Sequence, residues 1–133
     1  MLKISKLADY AIHIMHTLSV KECLSASKIA EITLIPEPTV SKILKKLSSA
    51  NLLLSLQGSK GGYQLSKTAE KISLAKLIIA IDGKPAMTEC CKAVYDCARE
   101  SVCSQKNNWR SINHMIFSML DKISLRDMKD RKI

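Results

Sequence analysis

The stretch that decides the fold is PTVSKILKKLSSANLLLSLQGSKGGYQLS, residues 38–66. Its first apolar residues recur at steps of three and four, as on one face of a helix: Val40, Ile43, Leu44 and Leu47. Two short apolar runs follow around Gly58, Gly61 and Gly62, three of the chain's four glycines, and predict a hairpin whose tip needs positive φ angles. A helix that leads into a glycine-rich hairpin is the second half of a winged helix-turn-helix.

The residues before this stretch predict two further helices. Apolar residues of the first helix again recur at steps of three and four: Ile4, Leu7, Ala8, Ala11, Ile12, Met15 and Leu18. A shorter second helix fits SASKIAEI, with a serine as its N-cap and with Ile29 and Ile32 facing inward. Because Pro36 and Pro38 are tolerated only in a first turn, the third helix is expected from near Glu37 to about residue 50.

Beyond the hairpin, SLAKLIIAIDG predicts a helix capped by Ser73 and ended by Gly83. A loop follows, and then a long helix with one apolar edge in coiled-coil spacing: Trp109, Ile112, Ile116, Met119 and Ile123. This edge needs a cover, and a second copy of the chain is the expected partner. The segment 124–127 resembles a capping box that begins a last short turn.

The predicted fold is therefore mainly α: a winged helix-turn-helix with a two-stranded wing plus a long C-terminal dimerisation helix. We divide the chain into a DNA-binding domain at 1–83, a cysteine-rich loop at 84–105, and a dimerisation helix with its C-terminal turn at 106–133.

The charge balance indicates a polyanionic partner. The 133 residues contain 21 Lys and Arg against 12 Asp and Glu, a formal charge of +9. Lys3, Lys6 and Asp9 interrupt the apolar positions near the start, unlike a secretory signal, and no uncharged run is long enough to span a bilayer. We therefore expect a cytoplasmic protein with double-stranded DNA, and no membrane, as its partner.

The DNA-contacting residues are expected on the third helix and the wing. The apolar face of that helix leaves Ser41, Lys42 and Lys45 on the opposite side, although an ordinary solvated face would have the same pattern. Short residues beside tight glycines suit a wing that follows a phosphate backbone. The full set of candidates is Lys28, Pro38, Thr39, Ser41, Lys42, Lys45, Lys46, Ser59, Lys60 and Tyr63.

The segment CCKAVYDCARESVC, residues 90–103, holds four of the five cysteines: Cys90, Cys91, Cys97 and Cys103. In a reducing compartment such clustering favours a metal or an iron–sulphur cluster over disulfides, with reactive or idle thiols as the alternative. The spacing is wider than that of most zinc ribbons. Cys23 stands alone among apolar residues and is expected to be a small buried hydrophobe.

Together these motifs resemble a known family. KLADYAIHIM, PTVSKILKKL, GSKGGYQLS and the spaced cysteines before NNW are similar to the winged-helix regulators of the IscR and NsrR type. TECC, CARESVC and NNWRSIN are closer to the subgroup that regulates the SUF genes for cluster assembly. The resemblance implies a homodimer that binds an operator and holds an iron–sulphur cluster, 2Fe–2S favoured over 4Fe–4S, and that represses those genes.

The resemblance leaves the ligand set open. Lys106 stands where IscR-like regulators carry a ligand histidine, and Gln57 stands where the family often has a wing arginine. IscR-like spacing favours Cys91 as the first ligand, whereas the TEC match favours Cys90. By resemblance to NsrR, Asp9 of the opposite subunit is the favoured fourth ligand. The competing donors are Glu89, Glu100, water and the spare thiol.

Other functions compete with this interpretation. A nitric-oxide or redox sensor would use the same fold, and a zinc-stabilised or cluster-free DNA-binding protein would use the same helix and wing. A small electron-transfer protein would use the thiolates but has no need of a basic recognition helix. We do not expect an enzyme, since His13, His16 and His114 form no recognisable triad with a nucleophile.

Overall fold

This computed structural model describes residues 2–130 and 133. Six helices and one antiparallel pair of strands follow one another along the chain. They are α1 (Lys6–Lys21), α2 (Ala26–Thr33), α3 (Glu37–Ser49), β1 (Leu53–Leu56), β2 (Gly62–Leu65), α4 (Leu74–Asp82), α5 (Lys106–Asp121) and α6 (Leu125–Asp130). The predicted order of helices and hairpin, and the mainly α winged fold, are confirmed.

Serine side chains begin several of these helices as the sequence predicts. The hydroxyl of Ser25 accepts the backbone N–H of Lys28, and the hydroxyl of Ser73 accepts that of Lys76. At α1 the cap is Ser5, whose Oγ also hydrogen-bonds Asp82 Oδ1 at the end of α4. This bond fixes the start of α1 beside the residues that lead into the cysteine segment.

The wing pairs Leu53 with Leu65 and Leu56 with Gly62, so its tip lies at residues 57–61. Gly58 has a φ of 103°, as the hairpin prediction requires. Gly61 corrects that prediction, because its φ is not in the left-handed region. It must be glycine for another reason: an added Cβ would collide with the carbonyl oxygen of Leu56.

The core lies between the apolar faces of α1, α3 and α4. Its largest fully buried side chains are Ile14, Met15, Leu18, Ile29, Val40, Ile43, Leu44, Leu47, Ile72, Leu77 and Leu125. Two sequence predictions are wrong here. Ile32 is 42% exposed, because α2 is too short for its last turn to reach the core, and Ile35 in the following turn is buried instead. Cys23 is only half-buried, with its Sγ 4.0 Å from the carbonyl oxygen of Lys60.

The long helix α5 contributes no buried side chain to this core. Trp109 is 39% exposed and Met119 is 59% exposed along its predicted seam. Among the described residues this apolar edge is only partly covered, which agrees with a need for a second surface. None of the helices in the described part of the chain is both long and apolar enough to cross a bilayer.

The far end of α5 is attached to the winged domain. Ser73 Oγ donates to Asp121 Oδ1 at 2.6 Å, and the backbone N–H of Leu74 donates to the carbonyl of Ile123. Helix α6 then begins with the predicted capping box, in which Ser124 and Asp127 exchange backbone-to-side-chain hydrogen bonds. The last helix therefore packs against the winged domain, with Leu125 in its core.

Candidate functional site

Helix α3 presents a polar, basic face to solvent. Its four inward residues, Val40, Ile43, Leu44 and Leu47, are fully buried. This anchoring turns Ser41, Lys42 and Lys45 outward, and all three are exposed. A rigid helix that carries two free-standing cations is suited to a major groove lined by phosphates.

Three further candidates lie around the beginnings of α2 and α3. Pro38 is exposed and Thr39 is half-buried in the first turn of α3. Lys28, in the first turn of α2, forms an exposed ion pair with Glu31 at 3.1 Å. Because such a pair is worth little in water, Lys28 remains available to an anionic partner.

Lys46 has a different environment from the other lysines of α3. Its ammonium group donates to the carbonyl oxygen of Ile81 at 2.9 Å, near the end of α4. The bond satisfies one of the last carbonyls of that helix and places a cation at its negative end. Lys46 is therefore engaged inside the winged domain and does not join the exposed basic face.

The candidate residues of the wing are likewise of two kinds, some exposed and one packed inside the winged domain. Ser59 and Lys60 are exposed at the tip, beside the exposed Gln57. Tyr63 packs against the core, and its backbone exchanges two hydrogen bonds with Leu24, the shorter at 2.7 Å. We infer from this that Tyr63 holds the wing against the helices, while Ser59 and Lys60 are free to contact a backbone phosphate.

The cysteine segment 84–105 is a loop with two short 3₁₀ turns, Glu89–Cys91 and Glu100–Val102. Its four cysteines are all free, with Cys97 exposed and the others half-buried. Within the ranges that the structure describes, no three His, Cys, Asp or Glu side chains are gathered closely enough to hold a metal ion. The donor types suit a soft metal, but the loop must close to bring them together.

A threonine hydroxyl connects the two adjacent cysteines. Thr88 Oγ1 lies 3.1 Å from Cys90 Sγ and 3.2 Å from Cys91 Sγ. A hydroxyl has one hydrogen to donate, so it can donate to one sulphur while it accepts from the thiol of the other. Whichever cysteine acts as a thiolate, Thr88 is placed to stabilise it.

Lys106, which stands where IscR-like regulators carry a ligand histidine, belongs to a hydrogen-bonded ionic network. Lys106 Nζ lies 2.5 Å from Glu100 Oε1, and the Tyr95 hydroxyl also donates to that oxygen. The hydrogen bond from Lys106, followed by that from Tyr95, lowers the pKa of Glu100, and the same contact with Glu100 raises the pKa of Lys106. Lys106 therefore stays a cation, which cannot ligate a metal, and Glu100 is already engaged.

The other acidic candidates are placed differently. Glu89 accepts two hydrogen bonds from Lys92, each 2.7 Å long. Asp9 lies in the first turn of α1, 62% exposed, with Oδ2 3.8 Å from the Nε2 of His13. Asp9 thus points its carboxylate toward solvent, where a second molecule has access to it.

Sequence reasoning missed two residues that attach the cysteine segment to α5. The side-chain amide of Asn113 donates to the carbonyl of Pro85 at 3.1 Å and accepts the N–H of Met87 at 3.0 Å. Arg110 Nε donates to the carbonyl of Cys90 at 2.9 Å. The spacing of 106, 110 and 113 along one helical face could have suggested a shared role.

Known proteins resemble this chain over almost its whole length. The model of the Rrf2 family, described as iron-dependent transcriptional regulators, matches residues 4–131. The transcriptional regulator IscR of Vibrio atlanticus is 29% identical over 98% of this chain and 72% of its own length. The solved structure of CymR, the global cysteine regulator of B. subtilis, has a TM-score of 0.73 at 26% identity and covers 98% of both chains. The T. potens IscR structure has a TM-score of 0.71 at 26% identity, over 99% of this chain and 89% of its own.

Proposed function

The chain belongs to the Rrf2 family of transcriptional regulators, and on that premise we propose that it is an iron–sulphur-dependent repressor of cluster-assembly genes. In this proposal a homodimer binds a double-stranded operator through α3 and the wing. The cysteine segment reports the supply of clusters by holding or losing one. SUF-type genes are the proposed targets because of the motif resemblance at residues 88–113.

The observation that carries the proposal is the set of four free thiols on one loop docked beside the long helix. Thiolates are the usual protein ligands of iron–sulphur clusters, so the chemistry of the donor set fits. When bound, such a cluster supplies reversible electron transfer and sensitivity to oxidants. Cys97, Cys103 and one of Cys90 and Cys91 would hold it.

The fourth ligand in this proposal is Asp9 of a second subunit. Glu100 is engaged by Lys106 and Tyr95, whereas Glu89, in an exposed pair with Lys92, and Asp9, 3.8 Å from His13, both remain accessible. The resemblance to NsrR favours Asp9 of these two. Ligation by a partner subunit would connect the DNA-binding domain of one chain to the cysteine segment of the other. Loss of the cluster would then release the spacing between the two recognition helices.

Anaerobic purification with counts of iron, sulphide and zinc tests the cofactor. We expect a coloured protein with equimolar iron and sulphide, lost in Cys97→Ser and Cys103→Ser but retained in Cys23→Ser. The variants Cys90→Ser and Cys91→Ser decide the first ligand, since only one of them should lose the cluster. Stoichiometric zinc without sulphide, or normal clusters in all four single variants of the segment, would refute the site.

A second variant tests the ligand from the partner subunit. Asp9→Asn retains the size of the side chain but weakens it as a donor to iron, so we expect a shifted absorption spectrum and faster cluster loss at unchanged helicity. Asp96→Asn, an exposed carboxylate on the cysteine segment, is the matched control. An unchanged spectrum in Asp9→Asn would remove Asp9 from the ligand set.

A cluster-free regulator is the second candidate function. It is favoured by the similarity to CymR, described as a cysteine regulator, and by the absence of a gathered ligand set among the described residues. In that case operator binding would respond to a small molecule or protein partner and would be the same with and without iron. Operator titrations of reconstituted and metal-free protein distinguish the two candidates.

A further inference from the structure

We propose that α5 holds the cysteine segment by a clamp formed by Asn113 and Arg110, and that this clamp transmits the state of the segment to the rest of the protein. The inference rests on the proposed function, because the state that is transmitted is the presence or loss of the cluster. Asn113 and Arg110 act here as positioning residues, not as ligands.

Asn113 makes the more specific contact. Its amide forms two hydrogen bonds with loop backbone groups two residues apart, the carbonyl of Pro85 and the N–H of Met87. Both partners belong to the approach to the turn Glu89–Cys91. This side chain uses its amide donor and its carbonyl acceptor together, whereas leucine of similar size has neither and aspartate retains only the acceptor.

Arg110 fixes the turn itself. Its Nε donates to the carbonyl of Cys90, and its guanidinium lies 5.6 Å from the ring centre of Tyr95. Lys106, one helical turn earlier, lies 5.2 Å from the same ring and pairs with Glu100. The face of α5 at 106, 110 and 113 thus contacts the segment before its first cysteine, at Cys90, and between Cys91 and Cys103.

The chain joins the segment to α4 at Gly83, but no side-chain hydrogen bond among the described residues attaches the segment to the winged domain. Every side-chain hydrogen bond that joins 84–104 to a helix in the described ranges is made by α5. Gln105 is the N-cap of α5, so its bond with Asn108 belongs to the start of that helix. The opposite end of α5 is bonded to the winged domain through Ser73 and Asp121 and through the backbone of Leu74 and Ile123. The helix therefore contacts both the segment and the winged domain.

Ligand closure must act on this clamp. The described thiols are not gathered, so closing the loop around a metal has to change the position of the turn Glu89–Cys91 relative to Cys97 and Cys103. The clamp bonds reach backbone atoms at and just before that turn. If the turn moves toward the other two cysteines, either α5 moves with it or these bonds break, so the attachment of α5 to the segment depends on the cluster.

The test uses the full chain with three variants. Asn113→Leu removes both bonds at similar size, Asn113→Asp keeps the acceptor for Met87 alone, and Asn108→Leu is the control on the same helix. Asn108 is exposed, and its amide hydrogen-bonds only the nearby Gln105 among the described residues. Three quantities are measured: amide exchange of Met87 in cluster-free protein, the rate of cluster loss, and the ratio of operator affinities with and without the cluster.

We expect Asn113→Leu to speed both Met87 exchange and cluster loss by about tenfold and to bring the affinity ratio toward one. Asn113→Asp should lie between it and the wild type, and Asn108→Leu should match the wild type. If Asn113→Leu matches the control in exchange, or loses clusters and binds operator as the wild type does, the clamp is overturned while the proposed function stands. If the wild type takes up no cluster, the proposed function fails and the transmission fails with it.

Discussion

At the scale of single residues, the hydrogen bonds around the cysteines determine how each sulphur can behave. Thr88 reaches both adjacent thiols, so in the proposed cluster site its hydroxyl would connect the spare cysteine to the ligating one. Hydrogen bonds to ligand sulphurs tune both the potential and the lifetime of a cluster. Under that proposal Thr88 would tune the cluster through whichever of the two cysteines ligates it.

Replacing Thr88 with valine tests that role. Thr88→Val has nearly the same shape but no hydroxyl, so the cluster should still assemble while its reduction potential falls, because a donor to the thiolate is lost. The potential is measured by redox titration of the visible absorption. Thr88→Ser restores the hydroxyl and should restore the wild-type potential; equal potentials in all three proteins would exclude the contact.

The pair of Glu100 and Lys106 predicts a pH dependence of the loop. The folded pKa of Glu100 is lowered from 4.5, so the pair is complete above pH 4.5 and is lost only as the pH falls through the lowered value. Amide protection at Val102, whose N–H donates to the carbonyl of Arg99 in this turn, should follow that loss. In Glu100→Gln the protection should be weaker at neutral pH and should not change in the acid range. A wild-type profile in that variant would contradict the prediction.

At the scale of elements, α3 and the wing each have residues that pack against the rest of the domain, the anchors, and residues that are exposed to solvent. The buried face of α3 and the Leu24–Tyr63 backbone pairing hold the two elements in place, which leaves exposed the few side chains that we propose as DNA contacts. Lys46 and Tyr63 belong to the anchors. Residues of one type in one element thus have different roles, decided by what packs behind them.

Salt titrations distinguish these two groups. Lys42→Ala and Lys45→Ala should each lower the log–log salt slope of operator binding by about two for a dimer, about one per lost phosphate contact. Lys76→Ala, an exposed lysine of α4, should leave the slope unchanged. Lys46→Ala should instead lower the free energy of unfolding, by about 1 kcal/mol, because it frees a carbonyl of α4. If neither Lys42→Ala nor Lys45→Ala changes the salt slope, DNA binds to a surface other than α3.

At the scale of the whole molecule, α5 is the element that the single chain does not explain. It has an apolar edge but no buried residue, and it is attached at one end to the cysteine segment and at the other to the winged domain. A second copy of the chain packed along that edge would bury its apolar side chains. The proposed ligation by Asp9 requires that this packing bring the carboxylate of one chain to another chain's cysteines.

Polar substitution along the edge tests that assembly. Ile112→Asp with Ile116→Asp should give monomers, because each buried isoleucine contributes about 1.5–3 kcal/mol and two copies of each are lost. The winged domain should stay folded, since α5 supplies none of its buried residues. Ser111→Asp, at an exposed position of α5 outside the apolar edge, is the control. Sedimentation that shows an intact dimer in the double variant would assign the edge to another surface.

The sequence by itself determined the order of the elements, because that information is local. The periodic apolar residues of α1 and α3, the serine caps and the turn at Gly58 act over a few neighbouring positions, and the structure agrees with them closely. The basic face of α3 could be predicted in the same way, because the buried residues between Val40 and Leu47 turn the polar residues outward. Local patterns failed first at α2, where a short helix leaves Ile32 outside.

Only the tertiary structure decided which of the candidate groups are already engaged. Lys46 reaches Ile81, and Asn113 reaches Pro85 and Met87, across separations that no local period encodes. These contacts depend on how whole elements pack, since a side chain finds a distant carbonyl only after the core has fixed both backbones. The clustering of the cysteines on one loop was therefore readable from the sequence, whereas their attachment to α5 was not.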